Sequence, residues 1–290
     1  MNRDTHLFYI YLKEKYNMKE LDEIKIVSLY TNNISVSKIA DELNVDRTTI
    51  YNRLKKLGIY SGKRHRKYLI NENYFESIDK QNKAYWLGFL MADGYNSGKY
   101  IRVDIQDEGH LEKLRNEIFI NNDMPVRTKI NKINNKIIYY LTIQNKKIVN
   151  DCEKLGIVKR KSFITKYPNI SEKYNKDFIR GLFDGDGCLT YSMRGNYRGY
   201  KFSIVGNEEL ILEVRNRLLK LNIYIGFRKN KSIYELSVKG NRQIIKLLNW
   251  LYLDSDTSMN RKEEKYQDMI KWDLDNLLNK GKNKILTIKK

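Results

Sequence analysis

Cross-linking and punctuating residues are scarce: two cysteines and two prolines stand in 290 residues. Cys152 and Cys188 are too few for a disulfide framework, and no Cys-x-x-Cys or Cys/His spacing points to zinc. An intracellular, reduced chain is expected, cytoplasmic in a bacterium or phage, with an organelle as the alternative. Long apolar runs are missing as well. The longest, 84–92 and 137–143, fall short of the ~20 residues that cross a bilayer. The N-terminal segment MNRDTHLFYIYLKEKYN has charges on both sides of a short apolar patch and no small-residue cleavage site, so neither a signal peptide nor a membrane partner is expected. Acidic residues are the third deficit. Thirty-five Asp and Glu face 55 Lys and Arg, a net charge of +20, which selects for polyanions. Nucleic acid is favoured over an anionic membrane, because the basic residues are spread along the chain and 12% of residues are aromatic. An AT-rich gene would enrich Lys, Asn, Ile and Tyr by itself, so charge alone does not settle the partner.

Glu23 to Gly58 reads as three short helices. EIKIVSLYTNN places Ile24, Val27 and Tyr30 on one face. ISVSKIADELNV places Val36, Ile39, Ala40 and Leu43 at helical spacing behind Ser35 as cap. DRTTIYNRLKKLGI follows a tight turn at 44–46, with Asp46 as N-cap, Ile50, Leu54 and Leu57 as the apolar face and Gly58 as the stop. This is a helix-turn-helix pattern, whose second helix must offer polar side chains to the major groove. Arg47, Thr48, Thr49, Tyr51, Asn52 and Lys55 are available. Over 37–59 the segment resembles the helix-turn-helix modules of resolvases and many bacterial repressors. The stretch SGKRHRKYLINEN is a basic linker, either an ordinary connector or a tracker of phosphates through Lys63, Arg64 and Arg66.

From Tyr74 onward one pattern occurs twice: WLGFLMADG at 86–94 and IRGLFDGDG at 179–187. Aligning Asp93 with Asp186 aligns the predicted elements that follow, and once a short first strand beside Gly94 to Asn96 is supposed in the first copy, each half reads αββαββα. Gly88 with Ala92, and Gly181 with Gly185, lie four apart on one helix face, where small residues let two backbones approach closely. The two signature helices are predicted to pack as a pseudo-twofold seam, each ending at an Asp-Gly pair with glycine in the left-handed cap conformation. Asp93 and Asp186 then emerge side by side. Two close carboxylates at helix C-termini repel, and a hard divalent cation with oxygen ligands relieves the repulsion. Such ions polarise a scissile phosphate and activate water, which makes phosphodiester hydrolysis the predicted chemistry.

The two nine-residue signatures and the repeated strand order resemble a single-chain LAGLIDADG homing endonuclease over Tyr74 to Tyr266. The resemblance implies an α+β fold, a pseudo-twofold pair of αββαββα halves forming a saddle of antiparallel sheets, here preceded by a small all-α helix-turn-helix domain. It implies that Asp93 and Asp186 are catalytic and hold the metal together with Ala92 and Gly185. It places a helping basic residue near the end of the fourth strand, which Lys239 matches in the second half, whereas the first half has Gln144 there with Lys146 and Lys147 just after it; a solvated lysine is nearly as good a reading of Lys239. Asp107 and Asn207 fall where the family positions water, and helix capping explains them almost as well. Arg102, Arg127, Lys129, Lys201 and Arg228 lie on strands that would face DNA. Met91 replaces the first acid of the motif, which Asp184 keeps in the second copy. The ending after Trp250, with Arg261, Lys262 and Lys265, is similar to the family's closing helices.

The domains expected are a helix-turn-helix at 1–60, a basic linker at 61–73, halves at 74–170 and 171–275, and a basic tail at 276–290. The function expected is site-specific cleavage of both strands of long double-stranded DNA by a monomer, with Mg²⁺ and with Mn²⁺ able to replace it. The alternatives are a non-cleaving DNA-binding regulator and an RNA maturase. A protein-splicing insertion is not expected, since the sequence lacks the flanking Cys, Ser or terminal His-Asn that one needs.

Overall fold

The computed structural model describes residues 22–32, 34–60, 68–120, 124–159 and 165–288, with side chains through 276. The chain divides between Leu69 and Ile70 into two compact units.

The first unit holds α1 (Glu23–Thr31), α2 (Val36–Leu43) and α3 (Arg47–Lys56). Ser35 caps α2 by accepting from the Lys38 amide, and Asn44 takes the left-handed conformation (φ 50°) that turns the chain into α3. Asp46 precedes α3 without a side-chain cap bond. The core is Ile26, Tyr30, Ile39, Ala40, Ile50 and Leu54. The inward face of α1 is thus Ile26 and Tyr30, one turn apart, and not the face through Ile24, which is 82% exposed. Ile24 and Tyr30 are six residues apart, which a 3.6-residue turn sets about 120° apart around the helix.

The second unit contains two copies of one order. The first is α4 (Gln81–Asp93), β1 (Gly94–Asn96), β2 (Ile101–Ile105), α5 (Glu108–Ile118), β3 (Arg127–Ile130), β4 (Ile137–Ile143) and α6 (Lys146–Lys154). The second is α7 (Asn175–Asp186), β5 (Gly187–Arg194), β6 (Tyr197–Gly206), α8 (Glu208–Leu219), β7 (Gly226–Asn230), β8 (Ile233–Lys239) and α9 (Asn241–Tyr252). Each copy builds a four-stranded antiparallel sheet, β1-β2-β4-β3 and β5-β6-β8-β7. The fold is α+β with a pseudo-twofold repeat, as the sequence predicts. A final helix, α10 (Asn260–Ile288), runs through position 276 without a break.

The centre is the α4–α7 pair. Residues 84–91 of α4 are buried on every side, which a helix tolerates only inside a core. A Cβ on Gly88 would lie 2.1 Å from the Phe178 carbonyl oxygen, and one on Gly181 would lie 2.0 Å from that of Tyr85. The two backbones therefore touch. Each signature glycine after the aspartate differs from the left-handed cap expected of it: Gly94 (φ −75°, ψ 138°) and Gly187 (φ −83°, ψ 161°) are extended. The chain passes directly from helix into strand, and glycine is required there for space, since a Cβ would sit 2.5 Å from Leu90 O and 2.4 Å from Phe183 O.

One face of each sheet covers this core through Ile101, Val103, Leu141 and Ile143, and through Leu189, Phe202, Ile204, Leu236 and Val238. Side chains alternate across a strand. The opposite faces therefore carry Arg102, Arg127 and Lys129 in one sheet and Lys201, Arg228 and Lys239 in the other.

Candidate active site

The signature helices deliver Asp93 and Asp186 to the same end of the seam. Asp93 is the last residue of α4 and half-buried, whereas Asp186 is the last of α7 and exposed. A Cβ built on Gly185 would stand 2.4 Å from the Ala92 Cβ and 3.3 Å from Asp93 Oδ2. The Asp93 carboxylate thus lies against the end of the other helix, which only a glycine at 185 permits.

Two clefts flank this point, and they match by the repeat. One, of about 720 Å³, is lined by Asp93, Gly185 and Asp107, and the other, of about 180 Å³, by Asp186, Ala92 and Asn207. Each therefore combines the aspartate of one signature, the residue before the aspartate of the other, and the N-cap of the helix after the second strand. Asp107 accepts from the His110 amide at 3.0 Å, and Asn207 accepts from the Leu210 amide at 3.0 Å while donating to the Thr165 carbonyl. Capping and cleft lining are the same placement. Even the smaller cleft has room for several waters, at ~30 Å³ apiece.

The clefts differ in charge. The larger also carries Asp104, Glu108 and Arg261, while Asp186 is the one carboxylate among the described residues lining the smaller. No group of three or more His, Cys, Asp or Glu able to hold a metal is found among the described residues. The larger cleft instead offers several carboxylates and the smaller the Asp186 carboxylate, all hard oxygen. That set suits Mg²⁺, which keeps much of its water shell and takes one or two carboxylates plus substrate phosphate.

Arg261 is brought to the Asp93 cleft by a clamp on the segment before it. Asp184, fully buried, accepts from Tyr85 Oη (2.6 Å), Tyr252 Oη (2.5 Å) and the Met259 amide (2.7 Å). Burial pushes its carboxyl above the usual range, against the pull of those donors and of Arg180. Arg180, also fully buried, donates to the carbonyls of Leu251 and Thr257 and to Asp177. Lys113 reaches across from α5 to Ser258 O and Asn260 Oδ1. Tyr85 has one hydroxyl proton, and the Asp184 carboxylate takes it, so His110 Nε2, 3.1 Å away, is the donor to the Tyr85 oxygen. Burial, with Lys113 and Arg261 nearby, brings the His110 pKa down to about 3 and keeps the ring neutral.

Next to Arg261, buried Lys262 donates to the carbonyls of Phe183 and Gly187, under the start of β5. Burial and the Arg261 charge lower its pKa to about 8. The sequence flagged Arg261 and Lys262 only as basic residues of a closing helix. Their position depends on the buried clamp, whose one sequence trace is the acid at 184 that copy one lacks.

Lys239 and Gln144 are not gathered here. Lys239 pairs with Lys201, which pairs with Thr190, three residues along β5 from Gly187. At ~3.3 Å per residue and ~4.8 Å per strand, it stands roughly 14 Å from the seam end. Gln144 follows β4 beyond Ile143, which pairs with Ile101, at the corresponding far end of the first sheet. Strands β4 and β8 run away from the aspartates, so their ends lead outward.

In the first unit Arg47, Thr48, Thr49, Asn52 and Lys55 are exposed along α3, and Tyr51 packs edge-on against Tyr60 at 4.8 Å. Lys63, Arg64 and Arg66 lie outside the described residues.

Two segments match known families. Residues 19–60 match the model of an HTH domain, and residues 173–249 that of a LAGLIDADG-like domain. The second match covers α7 to α9, the half that keeps both acids of the signature. No curated protein matches the chain. Among solved structures, the chain is similar to full-length DUF199/WhiA from Thermatoga maritima (18% identity over 74% of this chain and 71% of that one, TM-score 0.42). It is also similar to the I-LtrWI LAGLIDADG homing endonuclease bound to target DNA (16%, 76% and 97%, TM-score 0.45). A third is I-SmaMI bound to an uncleaved DNA target in the presence of calcium ions (14%, 69% and 92%, TM-score 0.43). No described helix is long and apolar enough to cross a membrane.

Proposed function

We propose that the chain is a site-specific DNA endonuclease that cuts both strands of a duplex as a monomer. The observation that carries this reading is the matched pair of clefts at one end of the α4–α7 seam, each joining an aspartate of one repeat to the other repeat's helix end. A duplex has two antiparallel strands related by local twofold symmetry, and a pseudo-twofold protein can present one cleft to each. Asp93 beside Gly185, and Asp186 beside Ala92, would hold Mg²⁺, with Mn²⁺ as a substitute. Bound there, the cation supplies Lewis acidity to a scissile phosphate and to the attacking water. The chain's own residues do the rest. Asp107 and Asn207 present polar atoms where that water would enter, and Arg261 places a fixed positive charge beside a phosphate in the Asp93 cleft. Arg102, Arg127, Lys129, Lys201 and Arg228 face the duplex from the open sides of the sheets, so base edges and phosphates meet them together. The exposed side of α3 suits major-groove contact, which would extend the site beyond the sheets.

Incubation with a plasmid library, with and without Mg²⁺, followed by sequencing of the ends, tests the proposal. Defined double-strand breaks that need the cation are expected. Protection of a sequence with no breaks at all would make the protein a regulator instead. Removing residues 1–60 should weaken binding and shorten the protected footprint while defined breaks persist. An unchanged affinity and footprint would remove the role given to α3.

A further inference from the structure

The open face of each sheet, rich in cations, also carries one carboxylate, and the two occupy the same rung. Gly94 pairs with Val103, and Gly187 with Ile204. One step beyond lie the equivalent pairs Asp104–Tyr140 and Val205–Glu235. The acid sits on the second strand in one sheet and on the fourth in the other. Each is gripped in the same way. Arg102 donates to Asp104 Oδ1 from Nε (3.0 Å) and Nη2 (2.9 Å), and Lys129 approaches the same oxygen at 3.2 Å. Arg228 reaches Glu235 Oε2 from Nε (2.6 Å) and Nη2 (2.5 Å), and Lys201 bonds the other oxygen.

A carboxylate on a phosphate-binding surface weakens binding, since it repels the backbone and neutralises a neighbouring cation. Two such acids at one repeated position therefore call for a role. Glu235 is buried and should be the harder to keep charged. Desolvation raises its pKa, yet the bonds from Lys201 and Arg228 outweigh this and lower it overall. Both arginines are held by the Nε–Nη2 edge, and the Arg102 guanidinium carbon also stands over the Tyr140 ring, 3.9 Å from its centroid. A guanidinium fixed by that edge has lost the freedom to follow a phosphate, while its outer N–H groups keep the geometry that meets guanine O6 and N7.

We propose that Asp104 and Glu235 are specificity-determining residues: each orients one arginine, Arg102 or Arg228, to read a guanine edge, one in each half of the bound duplex, and withholds it from phosphates. This rests on the reading of the chain as a duplex-binding protein. The effect is local to each half, because the two clusters share no side chain.

The test uses the full chain as wild type, Glu235→Gln and Asp104→Asn. Each is bound to a pool of duplexes with random centres, and the retained DNA is sequenced. Affinity for random duplex is measured against salt. Wild type should retain guanine at one position in each half. Glu235→Gln should lose it in one half only, and Asp104→Asn in the other half only. Each variant should bind random duplex roughly tenfold tighter near 0.1 M salt, with a salt slope steeper by about 1 to 2, the mark of released cations finding phosphates. Asp104 is partly exposed, so its variant keeps the test open if the Glu235 variant does not fold. Guanine preference that survives in both variants, loss spread over both halves, or an unchanged salt slope would overturn the inference. A wild type that selects a site without those guanines does the same and leaves the endonuclease reading standing. A wild type that retains no duplex ends both.

Discussion

Asp93→Asn and Asp186→Asn should each slow double-strand scission by roughly a thousandfold or more, the rate equivalent of the several kcal/mol that a bound cation contributes to a phosphoryl transition state. Asparagine keeps the size of the side chain and removes the charge, so the fold and the clefts persist. Binding should hold or tighten slightly, because a negative group near phosphate is gone. That combination separates a lost catalyst from a lost ligand. Linearisation of a plasmid carrying the selected site measures the first, and retention of the same duplex on a gel measures the second. Scission at full speed by either variant would sink the cleft assignment, since each cleft has its own aspartate at the seam and neither can stand in for the other.

Gly88→Ala and Gly181→Ala are expected to destabilise the second unit by more than ~3 kcal/mol, lowering its melting temperature by about 10 °C. Helix propensity pulls the other way, by up to ~1 kcal/mol in favour of alanine, so the sign depends on the contact. Phe178 O and Tyr85 O, the atoms that would be struck at 2.1 and 2.0 Å, belong to helix backbone and cannot rotate aside. The helices must separate, and Tyr85, Trp86, Phe89 and Phe178, all fully buried, lose packing together. Gly109→Ala is the control. Gly109 lies within α5, where the nearest foreign atom to a new Cβ is Asp107 Oδ1 at 3.8 Å, so stability should rise by up to ~1 kcal/mol. Thermal unfolding followed by circular dichroism distinguishes the two cases. Equal melting temperatures for all three variants would mean the seam is looser than its geometry says.

Much of this architecture is legible in the chain because its causes are local. Strands alternate every second residue and helices turn every 3.6, so the elements of both copies can be read from side-chain type, except the short β1 of the first copy, which only the repeat supplies. The duplicated small residues and the duplicated aspartate then specify a close helix seam. Local pattern misleads at three places, where it must be extended through space. Ile24 is apolar and at helical spacing yet exposed, because a helix of nine residues has a single buried edge and Ile26 occupies it. Gly94 and Gly187 are obligatory for space rather than for a left-handed turn. Lys239 matched by strand count, but the antiparallel order sends the end of the fourth strand away from the aspartates.

The sequence by itself therefore determined the repeat, the elements, the seam glycines and the two aspartates, since each depends on neighbours within a turn or a strand. Only the tertiary structure decided which cations join them. Arg261 enters the Asp93 cleft because Asp184 and Arg180, more than 70 residues earlier, bind the segment preceding it. Arg102 and Asp104 share a face of one strand, whereas Arg228 meets Glu235 only across the paired strands β7 and β8. Periodicity carries no information about such contacts, because they are set by how the chain closes on itself and not by the spacing along it.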